Sequence, residues 1–199
     1  DLHLGSDRKN GFEFVEELRV RRLIKPTTVF ILISADSARP VVLGSIERRP
    51  DDYLIKPFSQ VQLKSRISRA WSKRQYLGDV YREIANDNLN TAVDICEDLL
   101  ASPSPYRGSC EQLLVELYWQ LEQPDKALDV LTPYLDGKPI MWAQVALGKT
   151  YVHLQQYDKA MDMAEQVLKR NRFSAEAQDI LAQASDAKQQ GELAISAIR

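Results

Sequence analysis

Alanines at positions 92, 127, 160 and 194 recur at intervals of 35, 33 and 34 residues, and each opens the same kind of segment. Those segments read AVDICEDLL, ALDVLTPYL, AMDMAEQVL and the shorter AISAI. A repeat of this period with helical patterning inside each unit constrains the fold more than any other feature. One pair of short helices cannot bury its own apolar stripe, so each unit has to stack on the next. Ahead of the alanine stand LVELYWQLEQPDKA, Leu114 to Ala127, in the second unit and ALGKTYVHLQQYDKA, Ala146 to Ala160, in the third. Small residues let the two helices of a unit approach closely, and larger ones fill the seams. The pattern predicts an all-α helical solenoid over 73–199, with three full units and a partial fourth.

Residues 1–72 follow a different rhythm. Asn10-Gly11 caps a helix with apolar positions Phe12, Val15, Leu18 and Leu23, and Pro26 ends it. TTVFILIS, Thr27 to Ser34, reads as a strand buried on both faces. A helix is expected around Val41 to Arg48, broken by Pro50-Asp51-Asp52, and then a strand at Tyr53 to Ile55. That strand must stop at Lys56, because Pro57 has no N–H to extend a ladder. A third helix follows from about Gln60, with Val61, Leu63, Ile67 and Trp71 expected to face inward. Alternation of this kind means α/β architecture with parallel strands and right-handed crossovers. Two strands are too few for a stable sheet, so further strands are expected upstream. Lys56 thus stands at the carboxyl end of a strand, where open α/β sheets take their ligands. No Pro or Gly interrupts the chain from Gln60 until Gly78, which predicts a stiff connector, or two helices meeting at a short bend, with Trp71 buried at the junction.

Composition narrows the classes. With 44% hydrophobic and 27% charged residues in 199, the chain reads as an ordinary globular protein, mostly helical overall. No apolar run approaches a membrane span and no secretory signal pattern is read, so no membrane is expected and the expected location is cytoplasmic. The first 72 residues are net basic and the rest net acidic, too weakly to imply nucleic acid. Cys96 and Cys110 are expected to be reduced and buried, and His3 and His153 are too far apart for a metal-ligand spacing.

The repeats resemble tetratricopeptide repeats (TPR), on Leu147, Gly148, Tyr151, Tyr157, Ala160 and Ala164, with Pro139 at the end of a unit. The first unit, from about Lys73 to Pro105, matches less well, with Val80 at a small position. The resemblance implies a protein-binding concave face lined by the first helix of each unit. Trp119, Trp142, Lys149 and His153 would point there, toward an unknown protein or peptide. Packing of the tryptophans between units is the alternative.

DLHLGSDRKNGFEFVEELR, FILISAD and DDYLIKPF, taken in that order, resemble the C-terminal part of a bacterial response-regulator receiver domain, a partial flavodoxin-like fold. The resemblance implies that Asp1 accepts a phosphoryl group from a histidine kinase or phosphotransfer protein. It makes Lys56 the cation on the phosphoryl oxygens, Ser34 the hydroxyl donor, Tyr53 the switch aromatic and Pro57 the residue after a cis bond. It implies Mg²⁺ in an intact receiver, with the backbone carbonyl of His3 as one ligand. The acidic pair that would complete the metal site is not in this sequence, so no cofactor is expected in what reads as a fragment of a longer chain. The expected function is a phosphorelay response regulator, residues 1–72, joined to a TPR interaction module, residues 73–199. It is not expected to be an enzyme. The alternative is a TPR scaffold with a degenerate, non-phosphorylated receiver-like half.

Overall fold

The computed structural model describes residues 14, 15, 17, 18, 21, 23–35 and 51–198, with side chains to residue 189. Two compact units are present, Asp1–Ile95 and Cys96–Arg199. The division falls later than the change of sequence pattern near residue 72, and the helix Gln60–Tyr76 packs on the second strand.

In the first unit β1, Ile31–Ser34, pairs in parallel with β2, Asp52–Ile55. Partners are Ile31 with Asp52, Leu32 with Tyr53, Ile33 with Leu54 and Ser34 with Ile55. Leu32 and Leu54 are buried, as is Ser34, while Ile31 and Ile33 are half-buried. The strand is therefore shorter than TTVFILIS and less completely covered than expected. Its start has a chemical cause: the Phe30 N–H is taken by the Asp51 carboxylate at 2.8 Å, and Thr28 bonds back to the Lys25 carbonyl in a turn. The expected helix at Val41 to Arg48 lies outside the described residues.

Helix α1, Gln60–Tyr76, opens on a capping box. The Ser59 hydroxyl accepts from the Gln62 N–H, and the Gln62 side chain accepts from the Ser59 N–H. The inward face differs from the expected one. Val61, Ile67 and Trp71 are exposed, Trp71 at 55%. The covered stripe runs instead through Leu63, Ala70, Arg74 and Leu77, at spacings of seven, four and three. Trp71 is not the junction residue. Helix α2, Gly78–Ala85, follows after a bend at the buried Leu77, so the connector is two helices. Helix α3, Leu89–Leu100, begins in the first unit and ends in the second.

The second unit is helical throughout its described residues: α4, Arg107–Gln120; α5, Pro124–Leu131, with a 3-10 turn at Thr132–Tyr134; α6, Met141–His153; α7, Tyr157–Arg170; and α8, Ala175–Ile198. Helix α6 packs on α7 and also touches α4 and α8. The repeat is visible in the turns. Asp87, Glu122 and Gln155 all have positive φ, at 63°, 55° and 57°. The N–H that follows each bonds back to a carbonyl five residues earlier: Asn88 to Glu83, Gln123 to Tyr118 and Gln156 to Tyr151, at 2.8–2.9 Å. Ala92, Ala127 and Ala160 then fall at the same place in the next helix, all fully buried. Gly148 admits a close approach, since a Cβ there would lie 3.1 Å from Ile180 Cδ1 and 3.5 Å from Met163 Cβ.

Both cysteines are free and buried, as the sequence predicted, with the Cys110 thiol donating to the Cys96 carbonyl at 3.6 Å. The Cys96 thiol is pushed well up by its neighbour Cys110 and by burial, which keeps it protonated and unreactive.

Candidate functional site

The strand ends bring Ser34 and Lys56 together. Ser34 closes β1 beside Ile55, and the Lys56 N–H donates to the Ser34 carbonyl at 2.8 Å. The ladder thus runs one bond past the strands, and Pro57, joined through a cis Lys56–Pro57 bond, stops it there. Ser34 is buried and the Lys56 residue exposed, so a hydroxyl and an ammonium group sit on neighbouring strands at the carboxyl end of a parallel pair. Tyr53 is half-buried one rung from the strand start, opposite Leu32. Asp1 and His3 lie outside the described residues. Among those described, no group of three or more His, Cys, Asp or Glu residues is arranged to hold a metal ion.

The opposite end of the strands holds a cluster that the sequence reading missed. The side chain of Asp51, expected only as a helix breaker, is almost wholly buried and receives Arg74 Nη2 at 2.6 and 2.7 Å and Nε at 3.1 Å. Arg74 Nη1 donates to the Pro26 carbonyl at 3.2 Å, and its guanidinium lies 4.2 Å from the centre of the Tyr81 ring on α2. Lys73 adds a bond from Nζ to the Asp51 carbonyl at 3.2 Å. Burial pulls the Lys73 ammonium below its ordinary value, against the nearby Asp51 charge. The missed signal was the helical angle: Arg74 falls on the stripe of Leu63, Ala70 and Leu77, where a basic residue requires a buried partner.

In the helical unit three of the four expected groove residues meet. The Trp119 indole N–H donates to the buried Thr150 hydroxyl at 3.1 Å, and its ring stacks on His153 with centroids 5.9 Å apart. Lys149 Nζ is 6.0 Å from the Trp119 ring and pairs with Glu176 on α8 at 2.5 Å. Trp119 is half-buried and His153 exposed, so the patch is open on one side. Trp142 is elsewhere, edge-on to Tyr134 at 4.9 Å. That contact parts Trp142 from the other three. Neither Thr150 nor Glu176 was singled out from sequence, since a threonine in a helix and a glutamate in a first turn carry no special pattern.

The chain is 29% identical over 108 residues to the alkaline phosphatase synthesis transcriptional regulatory protein PhoP of Bacillus subtilis (strain 168). The match covers 54% of this chain and 43% of that protein, so the chain spans less than half the length of its relative. No family model and no solved structure matches. Among the described residues no helix is long and apolar enough to cross a membrane.

Proposed function

We propose that the chain belongs to a phosphorelay response regulator in which a receiver module, residues 1–72, is joined to TPR repeats, residues 73–199, that bind another protein. The observation that carries the reading is the juxtaposition of Ser34 and Lys56 at the carboxyl end of the parallel strands, in the order and spacing the receiver resemblance requires. Asp1 is then the phosphoacceptor. Its carboxylate attacks phosphorus, the donor histidine of a kinase or phosphotransfer protein leaves, and Lys56 with Ser34 offsets charge on the transferred group. Tyr53 and Pro57 belong to the response rather than to the transfer. Mg²⁺ enters only with an acidic pair from upstream strands and with the His3 carbonyl. Among the described residues no group of three or more His, Cys, Asp or Glu is placed to hold the ion. The protein accepts phosphate once per cycle and is not an enzyme acting on outside substrates. A cytoplasmic location suits these partners.

Three helical turns of the same geometry at residues 87, 122 and 155 support the TPR reading, and the Trp119, Lys149 and His153 patch is the proposed partner-binding face. In a chain extended upstream by further strands, acetyl phosphate and Mg²⁺ should label Asp1, and Asp1→Asn should abolish the label. Labelling that survives Asp1→Asn removes the receiver assignment. A second reading, a TPR scaffold whose receiver-like half only packs, gains from the Asp51–Arg74 cluster, which gives the strands a structural task. Absence of label in the extended chain, with partner binding intact, selects it.

A further inference from the structure

The strand-start cluster adds side-chain ties where the Asp51 N–H already donates to the Phe30 carbonyl at 2.9 Å, and it reaches α2 as well. Arg74 is the last inward residue before the bend at Leu77, and it is only 6% exposed. From that point one guanidinium contacts three separate segments of the chain, one through a backbone carbonyl and two through side chains. It grips the segment before β1 through the Pro26 carbonyl, and the residue before β2 through the Asp51 carboxylate. Its flat face meets the Tyr81 ring on α2. Asp51 is the counterpart hub. Its carboxylate takes Arg74 and the Phe30 N–H, and its backbone carbonyl takes Lys73. The α2 side is close as well: a Cβ on Gly78 would lie 4.0 Å from Thr27 Cγ2, within ordinary contact.

A planar fork has a fixed geometry, and a buried carboxylate held from several sides cannot follow a wandering partner. We propose that the Asp51–Arg74–Tyr81 cluster is a joint that fixes the heading of α2 to the starts of both strands, so that α2 moves with the sheet rather than swinging about the bend at Leu77. Packed joints of this kind have discrete arrangements, which makes a displacement of the strand starts a displacement of α2. The joint lies at the end of the sheet opposite Lys56 and does not depend on whether Asp1 is phosphorylated.

Hydrogen exchange read by mass spectrometry on the whole chain tests this, comparing Arg74→Lys and Tyr81→Leu with the parent. Arg74→Lys keeps the charge and loses the fork and the flat face. It should speed exchange in 78–85 and in 27–30 together, by about tenfold or more, the scale of one strong charge-assisted contact. Tyr81→Leu leaves the ion pair and should speed exchange in 78–85 while 27–30 keeps its protection. The hairpin of α6 and α7 should be unchanged in both. If Arg74→Lys loosens 27–30 and leaves 78–85 protected, Arg74 serves the strands alone and the joint is refuted. If Arg74→Lys loosens every segment equally, the residue is general core, and an unaltered 78–85 in Tyr81→Leu refutes the contact to α2 independently.

Discussion

Two ways of closing a helix against its neighbours coexist in this molecule. Where α1 meets the strands, the inward stripe ends in Arg74, and the contact is made by charge, direction and a buried carboxylate. Within the repeated hairpins the same task falls to Ala127, Ala160 and Gly148, and the contact is made by the absence of side chain. The two differ in what they tolerate. A buried ion pair contributes little net stability over an apolar substitute, yet losing one partner leaves the other charged and dry. An alanine seam has little to lose by truncation, but it has no room for addition. The first region should therefore be fragile to removal and the second to insertion.

Removal at the ion pair gives the largest expected effect. Arg74→Met leaves Asp51 buried without its main partner and should destabilise the first unit by about 3–5 kcal/mol. Adding Asp51→Val to Arg74→Met should recover part of that loss, although Phe30 then loses the acceptor for its N–H. Urea titration of the two single variants and the double gives the coupling directly. A single variant costing under about 1 kcal/mol would place the pair among ordinary surface bridges.

Insertion at the seam comes next. Gly148→Ala gains about 1 kcal/mol of helix propensity, but its Cβ would crowd two carbons of Ile180, at 3.1 and 3.3 Å. Ile180 is buried, with little room for its side chain to give, so overpacking at about 1–3 kcal/mol should win. Pairing Gly148→Ala with Ile180→Val removes the nearer carbon, Cδ1, and should restore most of the loss. A Gly148→Ala chain that melts higher than the parent would show that α8 can shift, and that the seam is less exacting than the ion pair.

The regions also differ in their response to base. Tyr118 donates to Glu97 at 2.6 Å, and Tyr134 donates to Glu111. Burial first, and then the bonded carboxylate, push both phenols well above their ordinary 10.0. The folded state thus holds these protons more tightly than the unfolded chain does. The associated stability is complete below about pH 10 and drains away as pH rises beyond it. The second unit should lose stability with rising pH in that range, and Tyr118→Phe with Tyr134→Phe should flatten the slope. Thermal melts between pH 8 and 11 would show it, and an unchanged slope in the double variant would remove the tyrosines as its cause.

What could be read in advance follows from which interactions have a period. The spacing of Ala92, Ala127 and Ala160 located the hairpins, because a seam without side chains must recur wherever two helices touch. The end of β2 before Lys56 was legible because Pro57 has no N–H to extend a ladder. Arg74 was not, since its role depends on Asp51, 23 residues away, and no local pattern marks that pairing. The expected inward face of α1 failed for a related reason. Val61, Ile67 and Trp71 are the larger apolar residues, but the stripe is set by where Ala70 and Arg74 fit against the strand starts. The meeting of Trp119 with His153 was only half legible: both were placed on one face, but their stacking across α4 and α6 needed the turn geometry.

That turn geometry carries the smallest expected effect and the finest comparison. Asp87, Glu122 and Gln155 sit in the left-handed region, where a Cβ is crowded and glycine is the usual occupant. Aspartate tolerates that region better than glutamate or glutamine, because its short side chain bonds locally. Replacement by glycine relieves the crowding but gives the unfolded chain more freedom, and the two effects oppose each other. Glu122→Gly and Gln155→Gly should therefore gain only about 0.5–1 kcal/mol, and Asp87→Gly should gain less or nothing. Thermal melts of the three single variants rank them. Equal gains at all three positions would mean that the side chains are immaterial and the backbone alone sets the turn. A loss at Glu122 or Gln155 would mean that the side chain makes a favourable contact that outweighs its strain, and the three turns would then match in geometry but differ in cause.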